Sequence, residues 1–415
     1  MRCCYVLQVA LFAACSAAGQ TALTWEQVKT RFESGNPTML AAHLNVQESK
    51  AQEVTAYLRP NPNASVLIDQ LEPFSGNPYR PFGNALPLIS MDYLHERQHK
   101  RELRLESAQQ GTAIAQSQAA DTERTLLFNL RSAFVQTLQA KALLASAQEN
   151  LDYFDRQLSI NQDRYRAGDI ARVDLDRVLL QRVQYQSDFE AAQVNLRTAK
   201  ITLLTLLNDR TQLDAFDVTG NYDFSAAVPP LSTFRDTALA NRPDLQAAIQ
   251  TIRKAEVDHR LAVANGSTDP TIGVDFGRNP PIPVYMGVSV SIPVRIFDRN
   301  QGEKARTQID IAHAERERQA TEAQVFGDVD SAYYTLMSAL NLLKPYRAPD
   351  GYLATAGRIR DTISFSYQHG QAALVDYLDA QREYRATQVA YINLIASYLT
   401  AAGQLNLAAG REVIP

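Results

Sequence analysis

The chain has 415 residues, with 41 Lys and Arg against 45 Asp and Glu, for a formal net charge of −4. That balance excludes a broad basic field for nucleic acid, and the length exceeds what one ordinary core serves and suits two similar halves. Beyond the N-terminus no apolar run is long enough for a spanning helix, and long stretches rich in Ala, Gln, Arg, Leu and Glu suit exposed helices.

Residues 1–19 read as a secretory signal. MRCCYVLQVALFAACSAAG carries one early Arg, an apolar run from Cys3 to Ala14, then small residues. Two exits are open: cleavage at Ala17-Ala18-Gly19, or a lipobox-like Phe12-Ala13-Ala14-Cys15 that makes Cys15 the lipidated first residue. Cys3, Cys4 and Cys15 are the only cysteines. The mature body therefore has no disulfide and must be held by packing or oligomerisation.

The first repeat, 20–208, opens with a helix over 23–54 with Pro37 early in it, closed by the turn-rich RPNPN at 59–63. Val66 and Ile68 then alternate with Ser65 and Asp69, and Ile89, Met91 and Tyr93 alternate with Ser90 and Asp92. Both stretches read as strands, joined by the loop EPFSGNPYRPFGN. From Arg97 to Asp163 there is no Pro and a single Gly, Gly111, which predicts one helix on the order of 100 Å long. The turn RYRAGDIARVD (164–174) leads into a returning helix with a stripe of Tyr185, Phe189, Ala192 and Leu196. Residues 209–230 read as a linker with mixed signals.

The second repeat, 231–415, follows the same order. A helix over 231–262 has Pro243 at the place of Pro37, and NGSTDP (265–270) ends it. Two strands follow: TIGVDFGR, and VYMGVSVSIPV (284–294) with Val284, Met286, Val288, Val290, Ile292 and Val294 on one face. The opposite face carries Asp275, Ser289 and Ser291. The long helix from Gln301 to Tyr367 is interrupted in its middle by LLKPYRAPDG, where Pro345 and Pro349 kink or break it. The turn SYQHGQAALVD (366–376) then starts a last helix with Thr387, Tyr391, Leu394 and Tyr398 on one face.

The two turns match in register, 202 residues apart: Tyr165 with Tyr367, Gly168 with Gly370, Val173 with Val375, Asp174 with Asp376. Gly168 and Gly370 supply the backbone freedom a helix C-terminus needs. Asp174 and Asp376 sit near the start of the next helix, where a carboxylate suits the dipole. The residues by themselves describe a capped helical hairpin built twice.

Helix, strand, strand, long helix, tight turn and returning helix, done twice over nearly the whole mature chain, resembles the TolC family of outer-membrane efflux channels. The most specific piece is VDYLDAQREY (375–384) after Tyr367 and Gly370. The resemblance implies a mainly α fold with a small β part: two repeats of long coiled-coil-like helices plus two β-hairpins, pooled by three copies into an α-barrel and a β-barrel. It also implies a periplasmic gate in which Asp376 and Asp379 form a carboxylate ring, Tyr367 ties helices shut, and Asp174 is the first repeat's counterpart. A periplasmic adaptor is expected to meet the tips near Gly168 and Gly370, with an inner-membrane pump supplying energy. This chain departs from the pattern at Ala372, where some members carry an Arg, and has Ile170 at the equivalent place and Arg177 opposite Asp379. Pairing of Arg172 or Arg177 with the two aspartates is one way such a gate closes.

Physical chemistry supports pooling independently. Four strands cannot close a barrel, and open edges in lipid leave backbone groups unpaired at several kcal/mol each. Rival readings are a periplasmic adaptor, which typically has one helical hairpin set in β-rich domains, and the outer-membrane component of type I protein secretion. An enzyme is not expected: the sequence has no P-loop, GxSxG or HExxH, and no body cysteine for thiol chemistry. No cofactor and no metal site is expected. His95 and His99 have ligand-like spacing but sit in the basic run HERQHKR, and His369 belongs to the second turn. The basic run at Glu96–Arg104 marks the base of the barrel near lipid headgroups, and Tyr93 and Tyr285 are candidates for an aromatic belt, Tyr285 suiting the lumen better by alternation.

Overall fold

The computed structural model describes residues 22–71, 73, 74, 78–225 and 227–414. The signal segment and Cys15 lie outside the described residues. The single helix expected over 23–54 is instead two, α1 (Trp25–Gly35) and α2 (Pro37–Tyr57), broken at Asn36. Pro37 is the cause, since a proline disfavours the helical region for the residue before it, and Asn36 takes φ −75° and ψ 117°. The second repeat breaks likewise. Between α5 (Leu231–Asn241) and α6 (Pro243–Asn265), Arg242 takes φ −70° and ψ 120°. Each proline thus starts a second helix, where its missing N–H is harmless.

The four strands are β1 (Asn63–Asp69), β2 (Leu86–Leu94), β3 (Thr271–Asn279) and β4 (Ile282–Ser291). They form one antiparallel sheet in the order β1-β2-β3-β4, so the repeats supply a hairpin each and join along β2 and β3. Register carries the alternation across the sheet. Val66 faces Ile89, Ile89 faces Phe276, and Phe276 faces Met286. Met91 faces Val274, which faces Val288.

The long helices are α3 (Lys100–Ala167) and α4 (Arg172–Leu206) in the first repeat. In the second they are α7 (Gln301–Arg347), α8 (Tyr352–Gln368) and α9 (Leu374–Ala409). The interruption falls after Arg347, with Pro345 still inside α7. At the break Gly351 is packed so closely that a Cβ there would lie 2.5 Å from the carbonyl oxygen of Pro345. The returning helices also end alike: Asn208 after α4 has φ +52° and Gly410 after α9 has φ +77°.

The chain divides into two compact units. One comprises the described residues of Met1–Asn36, Leu127–Ala226 and Leu336–Gly403; the other comprises those of Pro37–Leu126, Ala227–Thr335 and Gln404–Pro415. Each draws on both repeats. The first unit absorbs much of the segment read as a linker. Val218 is fully buried and bridges Leu23 in parallel, and Phe216 is buried beside it in sequence. Lys141 Nζ donates to Asp217 and to the carbonyl of Val218, each at 2.7 Å, and Lys200 Nζ donates to the carbonyl of Phe216 at 2.6 Å. Tyr222 donates to the carbonyl of Ile392 at 2.7 Å, tying the segment to α9.

In the second unit the helix break at Arg242 is held electrostatically. Its guanidinium is buried and donates to Asp244 at 2.6 Å and to Asp328 at 2.8 Å. Burial, the largest single influence, pushes the Asp244 carboxyl up, but the Arg242 hydrogen bond together with the charges of Arg242 and Arg124 outweighs it and holds the carboxyl below the usual carboxylate range. A depressed native pKa contributes stability that is present above the unfolded carboxylate value, near 4, and is lost as pH falls through the native value. Acid titration of the melting temperature is therefore expected to fall more steeply for the native chain than for Asp244→Asn; parallel curves would remove this group from the acid response.

Candidate functional site: the paired helical turns and the sheet

At the first turn Gly168 has φ +83°, its N–H bonds the carbonyl of Tyr165 at 3.0 Å, and the N–H of Asp169 reaches back to Arg164 at 2.8 Å. At the second Gly370 has φ +72°, with Gly370 to Tyr367 at 3.1 Å and Gln371 to Ser366 at 2.8 Å. This is a Schellman-type C-cap made twice, with glycine where the left-handed backbone requires it. Asp174 and Asp376 lie in the first turns of α4 and α9.

Behind the turns is a buried cluster of eight residues: Leu151, Phe154, Val178, Tyr185, Tyr367, Leu374, Tyr377 and Leu378. Tyr367 stacks on Tyr377 with centroids 4.8 Å apart and planes 17° off parallel. The Tyr367 hydroxyl donates to Asn161 Oδ1 at 2.7 Å, and Asn161, fully buried in α3, donates onward to the carbonyl of Gln157. The Arg164 guanidinium lies over the Tyr367 ring at 5.1 Å. The Tyr153 hydroxyl gathers Gln381 Nε2 at 2.9 Å, Ser364 Oγ at 3.0 Å and the Tyr377 hydroxyl at 3.3 Å. Tyr185 stacks on Phe154 at 4.2 Å. Burial raises the pKa of Tyr185 to about 12 and pushes Tyr367 and Tyr377 up as well. These phenols stay neutral and act through hydrogen bonds and packing, joining α3, α4, α8 and α9 within one chain.

The expected gate residues separate into two kinds. Tyr367 is a buried strut of this cluster. Asp376 and Asp379 are exposed, and Asp174 is half-buried. Asp379 pairs with Arg382 at 2.6 Å along α9, whereas Asp376 has no ion-pair partner among the described residues. Neither Arg172 nor Arg177 meets these aspartates. Arg172 bonds Asp176 at 3.0 Å one turn along α4, a shorter reach than across the hairpin. Arg177 lines a groove with Leu180, Val375, Leu378 and Arg382. Tyr153, Asn161, Tyr377 and Gln381 were not singled out by sequence. Their signal was weak: buried polar residues on long helices look like any surface Asn, Gln or Tyr until their partners are known.

The sheet is the second candidate. Val66, Ile68, Ile89, Met91, Ile272, Phe276, Met286, Val288 and Val290 share one face and are all exposed, Val288 at 71 %. The other face joins Ser65, Ser90, Asp275 and Gly287 in one row and Asn63, Asp92, Gly273 and Ser289 in the next. A Cβ on Gly273 would collide with Asp92 Oδ1 and Ser289 Oγ, so the glycine makes room for the polar groups beside it. Tyr285 lies over Gly277 on this face, and Tyr93 is on the apolar one. Leu67, Leu86, Leu88 and Leu94 are apolar exceptions on the polar face. Both outer edges of the sheet, β1 and β4, lack a partner strand among the described residues.

No helix among the described residues is long and apolar enough to cross a membrane. His99 comes no nearer to Glu102 than 4.0 Å, and His95 uses its backbone N–H on the carbonyl of Pro270. His369 caps α8, its Nδ1 lying 2.8 Å from the carbonyl of Phe365.

Comparison with known proteins supplies the context for these two sites. A family model described as outer membrane efflux protein matches residues 234–411, the second repeat. The cobalt-zinc-cadmium resistance protein CzcC of Cupriavidus metallidurans is 22 % identical over 410 residues, covering 94 % of this chain and 90 % of that protein. Among solved structures, the outer membrane channel CmeC of Campylobacter jejuni aligns with a TM-score of 0.77 at 14 % identity, covering 94 % of this chain and 87 % of that one. The outer membrane protein VceC of Vibrio cholerae aligns at 0.76 and 14 %, covering 94 % and 96 %.

Proposed function

We infer that this chain, which belongs to the outer membrane efflux protein family, is the outer-membrane exit duct of an efflux system. The observation that carries the reading is the sheet: one continuous apolar face, one polar face and two free edges. Such a sheet satisfies its backbone in lipid only when copies close it into a barrel. Three copies give twelve strands, an even number as antiparallel closure requires. Their polar rows then line a wet lumen, and their long helices form a periplasmic tunnel. A single hairpin set in β-rich domains, the adaptor pattern, does not describe a chain with two helical turns and one hairpin of strands per repeat.

The duct is passive and performs no covalent chemistry. A periplasmic adaptor meets the turns at Gly168 and Gly370, and an inner-membrane pump supplies the energy. The cargo class we favour is divalent metal cations. CzcC, similar over 94 % of this chain, is named for cobalt, zinc and cadmium resistance, and the exposed Asp376 and Asp379, repeated by each copy, make a carboxylate ring suited to cations. The test of the whole reading is fractionation. A heat-modifiable oligomer in the outer membrane is expected, and loss of the gene is expected to sensitise cells to cobalt, zinc or cadmium. A soluble monomer overturns the duct; drug sensitivity without metal sensitivity overturns the cargo.

The gate has its own test. Replacing Asp376 and Asp379 together by Asn removes the ring's charge without changing its size. Single-channel recording is expected to show cation selectivity falling severalfold, since like-charged rings set selectivity at a constriction. Unchanged reversal potentials would assign the aperture to other residues.

A further inference from the structure

Where the sheet meets the helices, an open concavity of about 570 Å³ is lined by Arg97, Arg295, Arg299 and Lys304. The cations come from both repeats: Arg97 follows β2, Arg295 and Arg299 follow β4, and Lys304 lies in the first turn of α7. Among the described residues no carboxylate forms an ion pair with any of the four. Asp269 is bonded by Lys100 at 2.6 Å and by the backbone N–H of Arg97 at 2.9 Å, and Arg295 acts on it only at longer range, through its charge. Asp298 accepts the backbone N–H of Asn300 at 2.8 Å, and Glu303 pairs with Arg306 at 2.8 Å. The floor is shaped for a long cation. A Cβ on Gly266 would lie 2.5 Å from Lys304 Nζ, so the glycine lets the ammonium lie across the turn. Ile292 and Val294 line the same concavity, are exposed, and continue the apolar row of Val288 and Val290 out of β4. Ile296 and Phe297 extend the exposed apolar surface further.

We propose that this concavity binds the phosphate of an anionic phospholipid of the periplasmic leaflet, with an acyl chain laid against Ile292 and Val294. The proposal rests on the exit-duct reading, which puts the apolar face in lipid. Four cations gathered at one end of that face repel one another until an anion enters, and guanidinium groups bind phosphate through paired N–H bonds. A free inorganic anion would use the cations but not the apolar edge; a lipid uses both. The site fixes the height of the barrel in the membrane by holding one end of the sheet at the headgroup level.

The full-length oligomer, purified in detergent, is offered cardiolipin, phosphatidylglycerol or phosphatidylcholine, and retained lipid is read by native mass spectrometry. Selective retention of the two anionic lipids is expected. The triple variant Arg295→Gln, Arg299→Gln, Lys304→Gln is expected to lose it by on the order of a hundredfold, at about one factor of five for each cation near a headgroup. Should the triple variant fail to assemble, Arg299→Gln alone, on an exposed segment, is expected to give the single factor. Retention indifferent to headgroup charge, or unchanged in the variants, overturns the proposal. So does displacement by millimolar inorganic phosphate, which would make it a free-anion site. The exit-duct reading fails separately, by absence of the oligomer from the outer membrane.

Discussion

Val288→Arg is expected to abolish assembly of the oligomer in the outer membrane, while Ser289→Arg, one residue later, leaves it intact. The two positions are adjacent in β4 and point to opposite faces. Val288 stands in the apolar row beside Val274 and Met91, exposed at 71 % and without cover from its own chain. Ser289 stands in the polar row beside Gly273 and Asp92. An arginine on the lipid face of a barrel costs about 2–4 kcal/mol near the bilayer midplane. On the exit-duct reading, closure by three copies places one in each, so the barrel loses roughly 6–12 kcal/mol, comparable to the whole margin of a typical fold. At 289 a guanidinium meets water and the Asp92 carboxylate instead. The readout is the heat-modifiable band in outer-membrane fractions. Equal assembly of the two variants would mean that the exposed apolar row does not face lipid, and the duct reading would fall with it.

The faces of the strands were legible because alternation is a local property. Val284, Met286, Val288 and Val290 announce their face without reference to any partner. The partner was not legible. That β2 pairs with β3, matching Met91 to Val274, is a choice between distant segments on which the residues of either strand are silent. The helix breaks at Asn36 and Arg242 were legible in principle, since Pro37 and Pro243 dictate them; the periodic pattern running across both prolines hid the effect. The linker was harder. Val218 and Phe216 sit among Asp, Thr, Asn and Gly, and only the parallel bridge to Leu23 explains why they are apolar. At the turns, glycine chemistry gave away Gly168 and Gly370. The cross-helix partners stayed hidden: Arg172 was a candidate for Asp376 and Asp379, and proximity along α4 decided for Asp176.

Tyr377→Ala is expected to unlock the second turn. Its ring is fully buried, stacked on Tyr367 and packed in the cluster that joins α3, α4, α8 and α9. Truncating a buried aromatic costs about 3–5 kcal/mol, because the cavity collapses only in part. The loss is local: the cluster belongs to one compact unit and the four strands to the other. Amide exchange around Tyr367 and Leu374 is therefore expected to quicken by at least about a hundredfold, with the sheet unchanged. Tyr377→Phe keeps the ring and removes only a 3.3 Å contact with the Tyr153 hydroxyl, so it costs at most about 1 kcal/mol. Gly370→Ala falls between them, since a Cβ at φ +72° costs about 1–2 kcal/mol although nothing lies within 4 Å to obstruct it. The expected order of exchange, fastest in Tyr377→Ala, then Gly370→Ala, then Tyr377→Phe, separates a tip held by ring packing from one held by its hydroxyl bonds. If Tyr377→Phe loosened the turn as much as Tyr377→Ala, the hydroxyls would be the lock.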